Sequence, residues 1–81
     1  TMILFTKLDC GKCDYVKNHF DLESMGVQID ELSDTNADAL ADLAFYELVD
    51  TAEKQLPILV TDDEQKITGA IRISQYLRSL S

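Results

Sequence analysis

The chain is short of cysteine, of basic residues and of long apolar runs, and it has no tryptophan. Each shortage removes a class of protein. Two cysteines in 81 residues cannot staple a secreted disulfide framework, which usually takes four or more in a chain this small. Seven Lys and Arg stand against fifteen Asp and Glu, for a formal net charge of −8. That balance argues against nucleic acid and anionic membrane surfaces, both of which select for Lys/Arg stripes; it favours solubility and a partner with a basic patch. No apolar run approaches the ~18 residues of a membrane span. The Met2–Phe5 run is too short for a signal-peptide core and has no basic flank. A single histidine, His19, leaves an intrachain zinc site short of its usual four ligands.

What remains is 46% apolar and 27% charged, the balance of a folded globular protein. Residues 1–81 are expected to form one small domain with one modest core. The expected setting is cytoplasmic and reducing.

Both cysteines fall in one stretch, Leu8-Asp9-Cys10-Gly11-Lys12-Cys13-Asp14. Before it, Met2–Thr6 is nearly all apolar and reads as a central strand covered on both faces. After it comes a helical pattern, expected from Cys10 or Gly11 to about Met25, with Asp9 as N-cap and Gly26 as its C-terminal stop. Cys13, Val16 and Phe20 fall at i, i+3 and i+7, one inward stripe. Cys10 lies ahead of that stripe, so the pattern separates an accessible sulfur from a sheltered one. A C-x-x-C between strand and helix reads as a redox motif. Unpaired N–H groups and the positive end of the helix dipole favour a thiolate there. Lys7 and Lys12 add to that; Asp9 and Asp14 oppose it.

Further along, Val27–Leu32 alternates and reads as an edge-like strand. Thr35 and Asp38 have capping-box spacing for a helix to about Ala52, with Leu40, Leu43, Ala44 and Leu48 inward and its acidic residues solvated. Ile58–Val60 and Lys66–Thr68 read as two more strands around a polar turn, and a last helix spans about Arg72 to Leu80. Tyr76 belongs to that helix's buried side.

With these elements in place the chain resembles the glutaredoxins and small thioredoxin-like redoxins over its whole length. Thr6-Lys7-Leu8-Asp9-Cys10-Gly11-Lys12-Cys13 is similar to their strand–loop–CxxC, including a lysine three positions before the first cysteine. Leu56-Pro57-Ile58 stands where they carry a cis-proline, and Thr68-Gly69-Ala70 is similar to their glycine turn before the last helix. The resemblance implies an α/β, thioredoxin-like (glutaredoxin-type) fold, a four-stranded mixed β-sheet flanked by three helices. It implies a thiol–disulfide oxidoreductase with Cys10 attacking and Cys13 resolving, and with Lys7, Leu56, Pro57 and Gly69 binding the substrate. No metal and no cofactor is implied beyond the redox-active disulfide Cys10–Cys13.

The chain departs from the pattern at three places. Gly11-Lys12 replaces Pro-Tyr inside the motif, and Gln55-Leu56 replaces Thr-Val before the proline. Arg72 and Ile73 replace an acidic pair that would hold the amino end of glutathione. The expected partners are therefore disulfide-containing proteins and a thioredoxin-reductase-type enzyme rather than glutathione, with the chain a monomer. The alternative from another class is a dimer that bridges a metal or iron–sulfur cluster through the same cysteines.

Overall fold

A computed structural model describes residues 1–80. The elements run in the order β1 (Met2–Lys7), α1 (Gly11–His19), β2 (Val27–Leu32), α2 (Ala37–Phe45), α3 (Val49–Lys54), β3 (Ile58–Val60), β4 (Lys66–Thr68) and α4 (Ala70–Leu80). The four strands form one mixed sheet in the order β2-β1-β3-β4. Strand β1 pairs parallel with β2 and antiparallel with β3, and β3 pairs antiparallel with β4.

The period-2 alternation of β1 sets up two cores, because successive side chains point to opposite faces. Met2 and Leu4 join Val16, Leu22, Val27, Leu59, Ile73 and Leu77 on the face covered by α1 and α4. Ile3 and Phe5 join Leu43, Leu48, Ile58 and Val60 on the other face, under α2 and α3. A strand buried on both sides has no polar alternation to show, which is why Met2–Thr6 reads as continuous apolar sequence.

Among the described residues the helices number four, not the three expected. The predicted second helix breaks at Glu47, whose φ is +59°. There the Glu47 N–H donates to the Ala44 carbonyl and the Leu48 N–H to the Leu43 carbonyl, both at 3.0 Å. This is a Schellman stop, closed by burial of Leu43 and Leu48 on either side of it. No glycine announces it. Asn36, not Thr35, caps α2: its Oδ1 accepts the Ala39 N–H at 3.2 Å, and its Nδ2 donates to the Glu31 carbonyl at 2.8 Å. The inward residues of α2 are Ala39 and Leu43, while Leu40 and Ala44 face solvent.

Helix α1 stops at His19, well short of Met25. Asp21 accounts for this, accepting from the Ser24 N–H at 3.3 Å and the Ser24 hydroxyl at 2.7 Å in a local turn that competes with helix. Gly26, at φ +75°, therefore closes the turn into β2 rather than ending α1. In β2 the alternation also differs from the expected one: Ile29 is 44% exposed on this edge strand, while Asp30 is buried.

Candidate functional site

The loop after β1 delivers Cys10 to the start of α1. Asp9 takes a left-handed conformation (φ +57°) and Cys10 an extended one (φ −111°, ψ 105°), which makes Cys10 itself the N-cap in place of Asp9. Its Sγ accepts the backbone N–H of Cys13 at 3.2 Å, and its carbonyl accepts that of Asp14 at 3.0 Å. The sulfur thus takes the place of the Ser, Thr or Asp oxygen that usually satisfies a first-turn amide.

The two cysteines are reduced and unequal. Cys10 is half-buried; Cys13 is fully buried against the sheet, one turn into the helix. Burial pushes the Cys13 thiol up to about 11, and its hydrogen bond to Cys10 acts in the same direction. A backbone hydrogen bond to Lys7 and the charge of Lys17 pull it partly back. Cys13 therefore keeps its proton at neutral pH, as a sheltered thiol beside a more accessible one.

Of the remaining expected site residues, Leu56, Pro57 and Gly69 gather at the ends of β3 and β4. The Leu56–Pro57 peptide bond is cis and Pro57 is fully buried. The Gly69 N–H donates to the Pro57 carbonyl at 3.0 Å, one step beyond the Ile58–Thr68 pair of the β3–β4 ladder. Gly69 has φ +87°, and a Cβ on it would lie 2.8 Å from Nε2 of Gln55. The backbone angle is what requires glycine there; the Gln55 atom is the end of a flexible side chain. Leu56 is half-buried and packs on the α2–α3 face. Lys7 is exposed at the end of β1; its backbone reaches Cys13, and its side chain stays outside the groove described next.

That groove is the feature absent from the sequence reading. It has a volume of about 650 Å³ and runs between α1 and α4, from Gly11 and Lys12 beside Cys10, past Gln55 and Gly69, to Arg78. Tyr15 and Ser74 also line it. Its outer wall is the stripe Ile71, Gln75, Arg78 of α4, spaced i, i+4, i+7. That spacing was the available signal; which helix would face it was not.

Among the described residues no three His, Cys, Asp or Glu side chains gather as a metal-binding group. His19 stacks on Tyr15, with ring centroids 3.9 Å apart, and its Nδ1 lies 2.8 Å from the Tyr15 carbonyl oxygen. No helix among the described residues is long and apolar enough to cross a membrane.

Fold and site together define a small α/β protein with an unequal pair of reduced cysteines at a helix start. No family model matches the chain, and no curated protein matches it in sequence.

Proposed function

We propose that the protein is a cytoplasmic thiol–disulfide oxidoreductase with a thioredoxin-like, glutaredoxin-type fold. The observation that carries this reading is the asymmetry of the pair: Cys10 Sγ caps the helix at 3.2 Å from the Cys13 amide, while Cys13 is buried and held as a thiol. The Cys10 sulfur thus stands at the open end of the helix, the more accessible of the two, as an attacking sulfur must. The mixed sheet order and the position of Pro57 beside Gly69 support the fold assignment.

In the forward reaction the Cys10 thiolate attacks one sulfur of a protein disulfide. That S–S bond breaks, a mixed disulfide forms, and the departing substrate sulfur takes a proton from solvent. Cys13 then gives up its proton and attacks Cys10 Sγ, which breaks the mixed disulfide and frees the second substrate thiol. Two electrons and two protons have passed to the substrate. The Cys10–Cys13 disulfide left behind is reopened by a thioredoxin-reductase-type enzyme.

Alkylation followed by mass spectrometry tests the division of labour. Cys10 is expected to react first, Cys10→Ser to abolish reduction of insulin, and Cys13→Ser to accumulate mixed disulfides. Faster labelling of Cys13 would overturn the assignment. A dimer with bound metal or a coloured cluster would favour the cluster-bridging alternative instead.

A further inference from the structure

Charge is unevenly distributed over this chain. From Phe20 to Glu53 there is no Lys or Arg, and the acidic residues of β2, α2 and α3 fall in that interval. The α1–α4 groove is the opposite: Lys12, Arg72 and Arg78 line it, and no Asp or Glu does. Acids outnumber bases fifteen to seven, yet neither Lys12 nor Arg72 forms an ion pair among the described residues. The groove also contains a hydroxyl without a partner. Ser74 is 3% exposed, and its Oγ makes no hydrogen bond. Beside these polar groups stand apolar ones with no cover: Ile71 is 76% exposed and Tyr15 41%.

We propose that this groove reads the substrate: it docks an acidic polypeptide segment that flanks the disulfide to be reduced. The inference rests on the oxidoreductase reading for the disulfide and on the groove alone for the docking. Length favours a peptide over a small anion. The groove runs from Gly11 and Lys12 on α1 along α4 as far as Arg78, a volume of about 650 Å³ that a small anion would leave largely empty. Carboxylates beside an apolar residue would meet Lys12 and Arg72, and the apolar residue would cover the exposed Ile71 and Tyr15. Because the groove begins at Gly11 and Lys12, a segment lying in it presents the adjoining cystine at Cys10.

The overall charge of −8 works with this selection. An acidic partner is repelled by the β2–α2–α3 side and attracted at the groove. Screening over about 8–10 Å keeps the two fields local. Repulsion at wrong surfaces combined with attraction at one surface sets orientation and encounter rate.

The test uses two synthetic cystine peptides that differ only in carrying glutamates or glutamines beside the cystine. Exposed ion pairs contribute about 0.2–1 kcal/mol each, so two of them predict a preference of about two- to thirtyfold in kcat/KM for the acidic peptide. The preference is expected to shrink with added salt. Arg72→Glu should abolish it, read as the ratio of the two peptides' kcat/KM within that variant; Arg72 is exposed, so the variant should fold. Docking is read separately, by fluorescence anisotropy with the same peptides carrying serine for cysteine. Equal binding of both serine peptides would overturn the proposal. Selective binding without reduction of either cystine peptide would instead overturn the oxidoreductase reading and leave the docking site standing. Saturable protection of the groove by free glutathione, with no preference between the peptides, would also count against an acidic segment.

Discussion

The Cys13 amide lies 3.2 Å from Cys10 Sγ, so the buried cysteine helps to hold the half-buried one through its backbone. Its own thiol is hydrogen-bonded to Cys10 as well. One residue therefore supplies the amide donor to the neighbouring sulfur and, in the proposed reaction, the thiol that attacks that sulfur and expels the substrate. The fold separates the two sulfurs by placing one at the helix mouth and the other, buried, one turn along.

A pH dependence of stability follows from Cys13. Its thiol is raised from 9.0 to about 11 in the fold, so between those values the unfolded chain has released a proton that the native chain retains. Stability from this source is complete below pH 9 and is lost as pH rises through about 11. The loss amounts to roughly 3 kcal/mol at most. Urea denaturation of reduced wild type and Cys13→Ala from pH 7 to pH 11 measures it. The wild-type advantage should narrow with rising pH; a constant difference would exclude the linkage.

The αL position of Glu47 predicts a stabilising substitution. An L-residue in that conformation costs about 1–2 kcal/mol, against the roughly 0.5–1 kcal/mol of extra backbone entropy that a glycine loses on folding. Both Schellman hydrogen bonds use backbone atoms and survive the change. Glu47→Gly should therefore stabilise by about 0.5–1 kcal/mol, seen as a rise in Tm of several degrees. A fall in Tm would mean that the glutamate side chain contributes more than the turn costs.

That same turn shows where the sequence stops being legible. The strands were readable because short apolar runs between polar turns act locally, and the C-x-x-C, Pro57 and Gly69 because each constrains the backbone by itself. Glu47 carries no such mark. The chain takes the left-handed turn because it lets Leu43 and Leu48 bury together, a tertiary gain that overrides local preference. The expected stripe Leu40-Leu43-Ala44-Leu48 assumed a continuous helix; once the helix breaks, Ala39 and Leu43 point inward and Leu40 turns out. The groove was hidden for the same reason. Its walls come from α1 and α4, far apart in sequence, and only their packing on one face of the sheet brings Lys12 and Arg72 together.

Asp30 predicts a second gain. Burial raises its carboxyl above the usual aspartate range, Gln28 partly opposes this by donating at 2.8 Å, and Asp42 and Asp38 of α2 raise it further. Its Oδ2 has no hydrogen-bond partner. A raised folded-state value means that the contribution to stability is full below the unfolded value and lost as pH rises through the folded one. At neutral pH the buried charge is a burden, and an unsatisfied buried polar group costs about 1–3 kcal/mol. Asp30→Asn should raise Tm at pH 7 and lose that advantage near pH 4. An advantage that grows on acidification would reverse the sign assigned here.

Gly69 separates backbone strain from side-chain crowding. An alanine there meets two obstacles: φ of +87°, and Nε2 of Gln55 at 2.8 Å from the added Cβ. Gln55 is exposed, and its contacting atom is the end of a flexible side chain, so the crowding is cheap to relieve. The backbone angle is not, because the Gly69 N–H is tied to the Pro57 carbonyl and the Gly69 carbonyl to the Ile73 N–H of α4. Gly69→Ala should therefore cost about 1–2 kcal/mol. Adding Gln55→Ala should recover little of it, since the two penalties have different origins. Chemical denaturation of both single variants and the double variant closes the cycle. Full recovery in the double variant would show that Gln55, and not the turn, demands glycine at this position.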